Sequence, residues 1–199
     1  MKILVIGATG TIGKPLYHHL INIGHQVYGA YRTSAEYPVD ISDSNSIETL
    51  LNTLPKLDAI INVAGTAAWK SLSKLTEEDF YTGIKSKLMG QVNLVLHAQN
   101  YLNPKGSILL TTGILADHYE PNTSALALVN GAIHSFVRSA ALELPKGIRL
   151  NVISPGAILG DFPENKTFAN HYPISIDQAI DLYSKALEEQ KNGTIYKKY

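Results

Sequence analysis

Apolar and polar positions alternate along this chain in two distinct rhythms. Short runs rich in β-branched residues, KILVIG, HQVYGAY, LDAIINVAG, GSILLTT, IRLNVISPG and GTIYKKY, begin or end near glycines and read as buried strands. Between them lie stretches with helical spacing. Residues 11–23 (TIGKPLYHHLINI) form the first, and Gly24 stops it. Ser42 to Leu54 forms a short second helix, with Asp43 and Ser44 at capping positions. Thr76 opens a long third helix that runs to about Tyr101, with Glu77, Glu78 and Asp79 in the first turn, where the helix dipole favours them. Residues 123–144 and 175–190 supply two more. Strands alternating with helices predict a parallel sheet covered on both faces. Right-handed crossovers then give a Rossmann-type doubly wound α/β fold, a sheet of about seven strands in three α/β/α layers. Residues 1–199 read as one domain.

Composition narrows the function classes. Hydrophobic residues make up 45% of the chain and charged ones 17%, enough apolar material for a sizeable core. Seventeen basic residues balance seventeen acidic ones, so charge recruits neither nucleic acid nor an anionic membrane. With no cysteine there are no disulfides, thiolate metal sites or cysteine nucleophiles, which suits a reducing cytoplasm. The apolar run Ile3 to Ile6 is too short for a signal segment, and no run approaches a membrane span.

The first chemistry lies in GATGTIG, where Gly7, Gly10 and Gly13 follow a strand and open a helix. Glycines there let the backbone turn tightly and let a pyrophosphate approach the amides, while the helix N-terminus offers unpaired N–H groups. Thr9 and Thr11 add hydroxyl donors, and Ile12 completes the loop. The plain alternative is a tight turn that binds nothing. About twenty residues on, where an acidic side chain would hydrogen-bond the ribose of NAD, the chain has AYRTS: Arg32, then Thr33 and Ser34. A guanidinium beside two hydroxyls suits a 2′-phosphate, so NADP is the expected cofactor, with NAD possible. Asp40, followed by Ile41, either accepts from the adenine amino group or supports a turn.

These residues lead to a resemblance. INVAG, a long helix, GSILLTTG and a helix ending AALELPKGIRLNVISPGAI resemble the short-chain dehydrogenase/reductase family over nearly the whole chain. The resemblance implies that Asn62, Ala64 and Gly65 form a turn flanking the adenosine ribose, and that Pro155 and Gly156 begin a loop contacting the nicotinamide amide. The chain is short for that family. The shortfall falls mainly after Gly156, where ordinary members carry a substrate-binding insertion.

Ordinary members use a Tyr as proton donor, a Lys one helical turn later, a Ser thirteen residues before the Tyr and an Asn on the preceding long helix. Aligned on SALALVNGAIHSF, these positions hold Leu126, Asn130, Gly113 and Lys87. Nothing at position 126 can donate a proton, a role that typically contributes about 10²–10⁴-fold. The Asn and Lys are exchanged between the two helices, which suggests a pair whose ammonium, Lys87, reaches the ribose or a substrate anion from the opposite wall. A lysine on a helix surface is the plain alternative. Thr112 is a further, weakly acidic candidate. Thr111 is expected to point into the sheet. His118 and Tyr119 in ADHYEP could overhang the nicotinamide, and Trp69, His171 and Tyr172 could line a pocket. No metal site is expected, since no two histidines stand at ligand spacing with a carboxylate, and no serine sits in a nucleophile elbow.

Two function classes remain open at this point. One is an NADP-dependent oxidoreductase with an altered site, acting on an unknown small carbonyl or alcohol. The other is a non-catalytic dinucleotide-binding sensor or scaffold; a purely structural subunit is weaker still, given the intact GATGTIG. The helix over 123–144 is apolar nearly all round and 76–101 is long and apolar, so a homodimer or homotetramer through these helices is expected. In the family they form a four-helix interface.

Overall fold

A computed structural model describes residues 1–199. Its elements run β1 (Lys2–Ile6), α1 (Gly13–Asn22), β2 (Gln26–Ala30), α2 (Ser44–Asn52), β3 (Leu57–Asn62), α3 (Glu77–Gly83), a π-helical turn (Ile84–Met89), α4 (Gly90–Ala98), β4 (Leu102–Thr111), α5 (Ser124–Ala140), β5 (Arg149–Pro155), α6 (Ile176–Glu188) and β6 (Ile195–Lys198). All strand pairs are parallel, in the order β2-β1-β3-β4-β5-β6. Chain direction across the sheet reverses between β1 and β3, and that switch point opens a crevice at the strands' carboxyl ends.

The sheet has six strands, not about seven. Between β2 and α2 the chain has only residues 31–43, which close a loop through a single bridge between Tyr31 and Pro38. A further parallel strand there needs a crossover of a dozen or more residues in addition to the strand itself. β2 is therefore an edge.

Strand alternation divides the core. Leu4 and Ile6 of β1 point to the layer built from α2, α4 and α5, where they join Leu50, Leu94 and Ile133. Ile3 and Val5 point to the other layer and join Leu16 and Leu20 of α1 and Tyr183 of α6. Period-two burial with both faces covered is what a central parallel strand requires. Two polar anchors cross these layers. The Thr111 hydroxyl donates to the Asn62 carbonyl (2.6 Å) and meets the buried Tyr183 hydroxyl (2.8 Å), so Thr111 does point into the sheet. Arg149, 8% exposed, reaches the Glu189 carbonyl at 2.7 Å and the Leu187 carbonyl at 3.3 Å, satisfying acceptors at the end of α6.

Helix starts follow local chemistry. Asp43 caps α2 by accepting from the Asn45 amide, and Thr76 with Asp79 forms a capping box on α3. Ser175 with Gln178 does the same for α6. α1, like α4 and α5, begins without a side-chain cap and with no acidic residue in its first turn. The helix expected over 76–101 is not one regular α-helix. Its middle, Ile84–Met89, is a π turn, and α4 ends at Ala98, which leaves residues 99–101 as a turn before β4. α5 ends at Ala140 rather than 144. No helix is long and apolar enough to cross a membrane.

Candidate functional site

Gly7, which sits at φ +90°, ends the first strand's run and turns the chain toward α1. Gly13 opens α1 against it so closely that an added Cβ would lie 2.0 Å from the Gly7 carbonyl oxygen. Gly10 differs. A Cβ there would meet only the Gly7 oxygen, at an ordinary 3.5 Å. The fold itself does not require glycine at position 10. A ligand approaching the exposed Thr9, Gly10 and Thr11 would. Together with the uncapped start of α1, this turn fits a pyrophosphate.

A groove of about 350 Å³ runs from this turn across the switch point, lined by Gly7, Thr9, Gly10, Arg32, Ile41, Ala64, Gly65 and Ser86 among others. Asn62 holds the far wall: its amide donates to the Ala64 carbonyl at 2.8 Å and accepts from the Ala64 amide at 3.4 Å. Ile12 is turned away from the groove, under the segment after β5. Arg32 is exposed and stands 3.7 Å from Asp40. The Asp40 carboxylate accepts from the Ser42 amide (2.9 Å) and hydroxyl (2.7 Å), which with Arg32 holds it below the usual carboxylate range. These bonds tie Asp40 into the turn that precedes α2. Thr33 is exposed beside Arg32, whereas the Ser34 hydroxyl is engaged by the Tyr37 amide.

Lys87 lies in the π turn, half-buried. Gly65, at φ +131°, leaves room for it: an added Cβ would sit 3.0 Å from the Lys87 Cα and 3.2 Å from its Cγ. Burial without a counter-ion pushes the ammonium down to about 8. Gln91, fully buried, fixes this turn by donating to the carbonyls of Lys87 and Thr111 (3.1 Å each) and accepting from the Thr111 amide (2.9 Å). Sequence reasoning missed Gln91, because one glutamine on a helix carries no signal without knowledge of the strand end it faces.

Asn130, on α5, is 2% exposed, and its Oδ1 has no hydrogen-bond partner. A Cβ at Gly113 would stand 3.9 Å from the Asn130 Nδ2 and 3.7 Å from the Pro155 carbonyl oxygen. The fold thus brings Gly113, Asn130 and Pro155 together at the carboxyl ends of β4 and β5. Gly156 follows, its amide bonded to the Lys198 carbonyl at 2.7 Å. Thr112 is not brought in. It is buried, and its hydroxyl meets the Nε2 of His134 at 2.9 Å. Desolvation pushes His134 down to about 4. Leu126, one helical turn before Asn130, leans on an apolar cluster of Ile114, Leu115 and Ala169 shared with Phe168 and Tyr199. His118 and His171 stand edge to face, 4.4 Å between ring centres, with Tyr199 beside them.

A parallel doubly wound sheet with a glycine turn at the head of its first crossover helix is the architecture of dinucleotide-binding proteins. Comparison with known proteins specifies the family. Residues 22–173 match the family model described as enoyl-(acyl carrier protein) reductase. The chain is 26% identical to a 3-ketodihydrosphingosine reductase of Bacteroides thetaiotaomicron, over 96% of this chain and 77% of that one. It is 32% identical to glucose and ribitol dehydrogenase homolog 2 of Arabidopsis thaliana over 56% of this chain, which spans 39% of that relative's length. The crystal structure of the protein lin1944 from Listeria innocua superposes with a TM-score of 0.94 at 36% identity, covering 100% of both chains. A small-chain dehydrogenase crystallised with NADPH gives 0.88 at 25% identity, covering 100% of this chain and 96% of that one. The chain belongs to the short-chain dehydrogenase/reductase family.

Proposed function

We propose that this chain is an atypical member of its family, an NADP-dependent oxidoreductase that interconverts a small carbonyl compound and its alcohol with Lys87 and Asn130 in exchanged positions. The observation that carries the proposal is the buried Asn130 amide, its nitrogen facing Gly113 and its oxygen without a partner, with the uncompensated Lys87 ammonium on the turn packed against the same helix. A buried amide without a partner is costly, and a ligand that engaged the Asn130 side chain would relieve that cost. The reduced nicotinamide, when bound, supplies hydride to the carbonyl carbon. Asn130 and the Lys87 ammonium would hold the hydroxyls of the nicotinamide ribose from facing helices. Lys87 gives a proton to the carbonyl oxygen, and water returns one to its amine. Lowered to about 8, this ammonium is far better matched to neutral pH than an ordinary lysine. Thr112, tied to His134, is left out of this scheme.

Arg32 and Thr33 supply the 2′-phosphate contacts, and Arg32 exchanges Asp40 for the phosphate on binding. A thermal-shift titration tests this. NADPH at about 100 times Kd stabilises by about 2.7 kcal/mol, roughly 5–10 °C for a domain of this size. NADH gives a clearly smaller shift at equal concentration. Arg32→Ala weakens NADPH roughly 10–100-fold, from the loss of a charge-assisted hydrogen bond, and leaves NADH unchanged. Equal shifts from both nucleotides in the parent protein would refute the NADP preference, and no shift from either would refute cofactor binding.

One observation favours a sensor as the second reading. Leu126 aligns with the family's proton donor, and it packs on the buried cluster of Ile114, Leu115 and Ala169. A sensor binds NADPH but consumes none with any carbonyl. For assembly we propose a homodimer or homotetramer through α3–α4 and α5. Support comes from Tyr81, Leu96 and Leu128, 54%, 54% and 44% exposed on these helices. Light scattering is expected to give a multiple of the 21.7 kDa chain mass, and Leu96→Lys with Leu128→Lys to reduce it to one chain.

A further inference from the structure

The oxidoreductase reading leaves the substrate open, but three aromatic rings at the same end of the sheet restrict it. Trp69 lies in the loop after β3, and Phe162 and Phe168 lie in the strap, residues 157–174, between β5 and α6. Their ring centres are 5.6 Å (Trp69–Phe168), 6.2 Å (Trp69–Phe162) and 4.8 Å (Phe162–Phe168) apart, with planes tilted by 39°, 32° and 39°. A cluster that served only to pack the strap would bury its largest ring. Trp69 instead keeps 50% of its surface exposed, while the two phenylalanines behind it are half-buried. The wall is also continuous with the candidate site. Phe168 packs on the Ile114–Leu115–Ala169 cluster that Leu126 joins, so one apolar surface runs from position 126 to the indole.

The strap is held firmly enough to form such a wall. Ala169 and Asn170 take left-handed backbone conformations, φ 52° and 63°, which asparagine adopts readily but alanine rarely. The turn is closed by reciprocal bonds between Phe168 and His171, 2.8 and 3.0 Å. The Glu120 carboxylate accepts the Ala169 amide at 2.6 Å, and the Ala169 methyl is buried. Strain of this kind persists only where the surroundings over-determine it. Here the result is to place Phe168 toward Trp69 on one side of the turn and His171 toward His118 on the other.

We infer that Trp69, Phe162 and Phe168 form the specificity wall of the site and select a substrate whose carbonyl or alcohol is carried on a planar aromatic ring system. The inference rests on the oxidoreductase reading for the reaction but on the wall alone for ring binding. A flat ring gains stacking on a tilted aromatic surface that a puckered saturated ring of equal size cannot match.

Trp69 is the single tryptophan, so its emission reports on this wall alone. The probes are 2-acetonaphthone and 2-acetyldecalin, its saturated counterpart, titrated into the protein both free and saturated with NADP⁺, with calorimetry alongside. The aromatic ketone is expected to quench Trp69 and to bind at least 10-fold more tightly than the saturated one. Phe168→Leu and Phe162→Leu are expected to weaken it about 10-fold while leaving the thermal shift with NADP⁺ unchanged. Equal affinity for the two ketones, absence of binding, or indifference to both leucine variants would overturn the inference. Loss of the NADP⁺ shift in the parent protein, with aromatic binding intact, would instead overturn the oxidoreductase reading and leave the wall standing.

Discussion

Gly13→Ala is expected to abolish the NADPH-induced thermal shift and to lower the unfolding midpoint of the free protein. The new Cβ would sit 2.0 Å from the Gly7 oxygen, 2.8 Å from the Gly7 carbon and 2.9 Å from a Val63 methyl. Two of these atoms are backbone in the turn that leaves β1, so no side-chain rotation relieves the overlap. Either α1 moves away from the sheet or the Gly7 turn deforms. Overpacking of well-packed cores costs about 1–3 kcal/mol, occasionally more, and backbone overlap belongs at the upper end. For a domain of this size about 3 kcal/mol is roughly 6–12 °C. Gly10→Ala is the control. Its Cβ meets only one atom at 3.5 Å, so stability is expected to stay within about 1 kcal/mol of the parent while the NADPH shift falls. Melting curves of the two variants with and without NADPH check this. If Gly10→Ala bound NADPH as well as the parent, the close approach of the pyrophosphate to position 10 would be wrong.

The contrast between those two glycines marks what a sequence can reveal. GATGTIG identified the turn, yet which glycine serves packing and which serves a ligand depends on Val63 and Gly7 coming back against position 13. The layers were legible because they rest on short-range rules: period-two burial in β1, Asp43 and Thr76 as caps, Gly24 as a stop. The expected seventh strand had no apolar run of its own among the six in the chain, and the short loop after β2 has no place for it.

The π turn was illegible for a different reason. KSKLMG contains no proline, and its residues suit an α-helix. Widening by one residue is decided by Gln91 binding the end of β4 and by Gly65 approaching the Lys87 backbone. Such π insertions concentrate at functional sites. Lys87, Asn130 and Gly113 were located by alignment alone, and their environment, a desolvated ammonium and an orphaned amide oxygen, exists only in the fold. The aromatic wall was the least legible part. Trp69 was named with His171 and Tyr172 as pocket lining, whereas the rings it meets are Phe162 and Phe168, nearly a hundred residues away.

That desolvated ammonium leads to the second large effect. Lys87→Met is expected to make the free protein more stable at pH 7 while weakening NADPH binding. In the unfolded chain Lys87 keeps its proton up to the ordinary value of 10.5, whereas in the fold burial without a counter-ion lowers it to about 8. Below pH 8 both states are protonated and the folded state bears the full cost of the buried charge. Between about 8 and 10.5 the unfolded chain holds one proton more, so stability rises with pH across that window. The drop is worth at most about 3 kcal/mol, and about 2 kcal/mol with the ammonium partly in water. Methionine keeps most of the stem's packing against Gly65 and removes the charge. Unfolding at pH 7 is thus expected to shift up by roughly 4–8 °C, and the rise in stability between pH 8 and 10.5 to flatten. The NADPH shift is expected to shrink, since a group retained at a cost to stability is retained for binding or chemistry. If Lys87→Met instead destabilised the protein at pH 7 and left NADPH binding untouched, Lys87 would be a packing residue, and its pairing with Asn130 across the site would have to be given up.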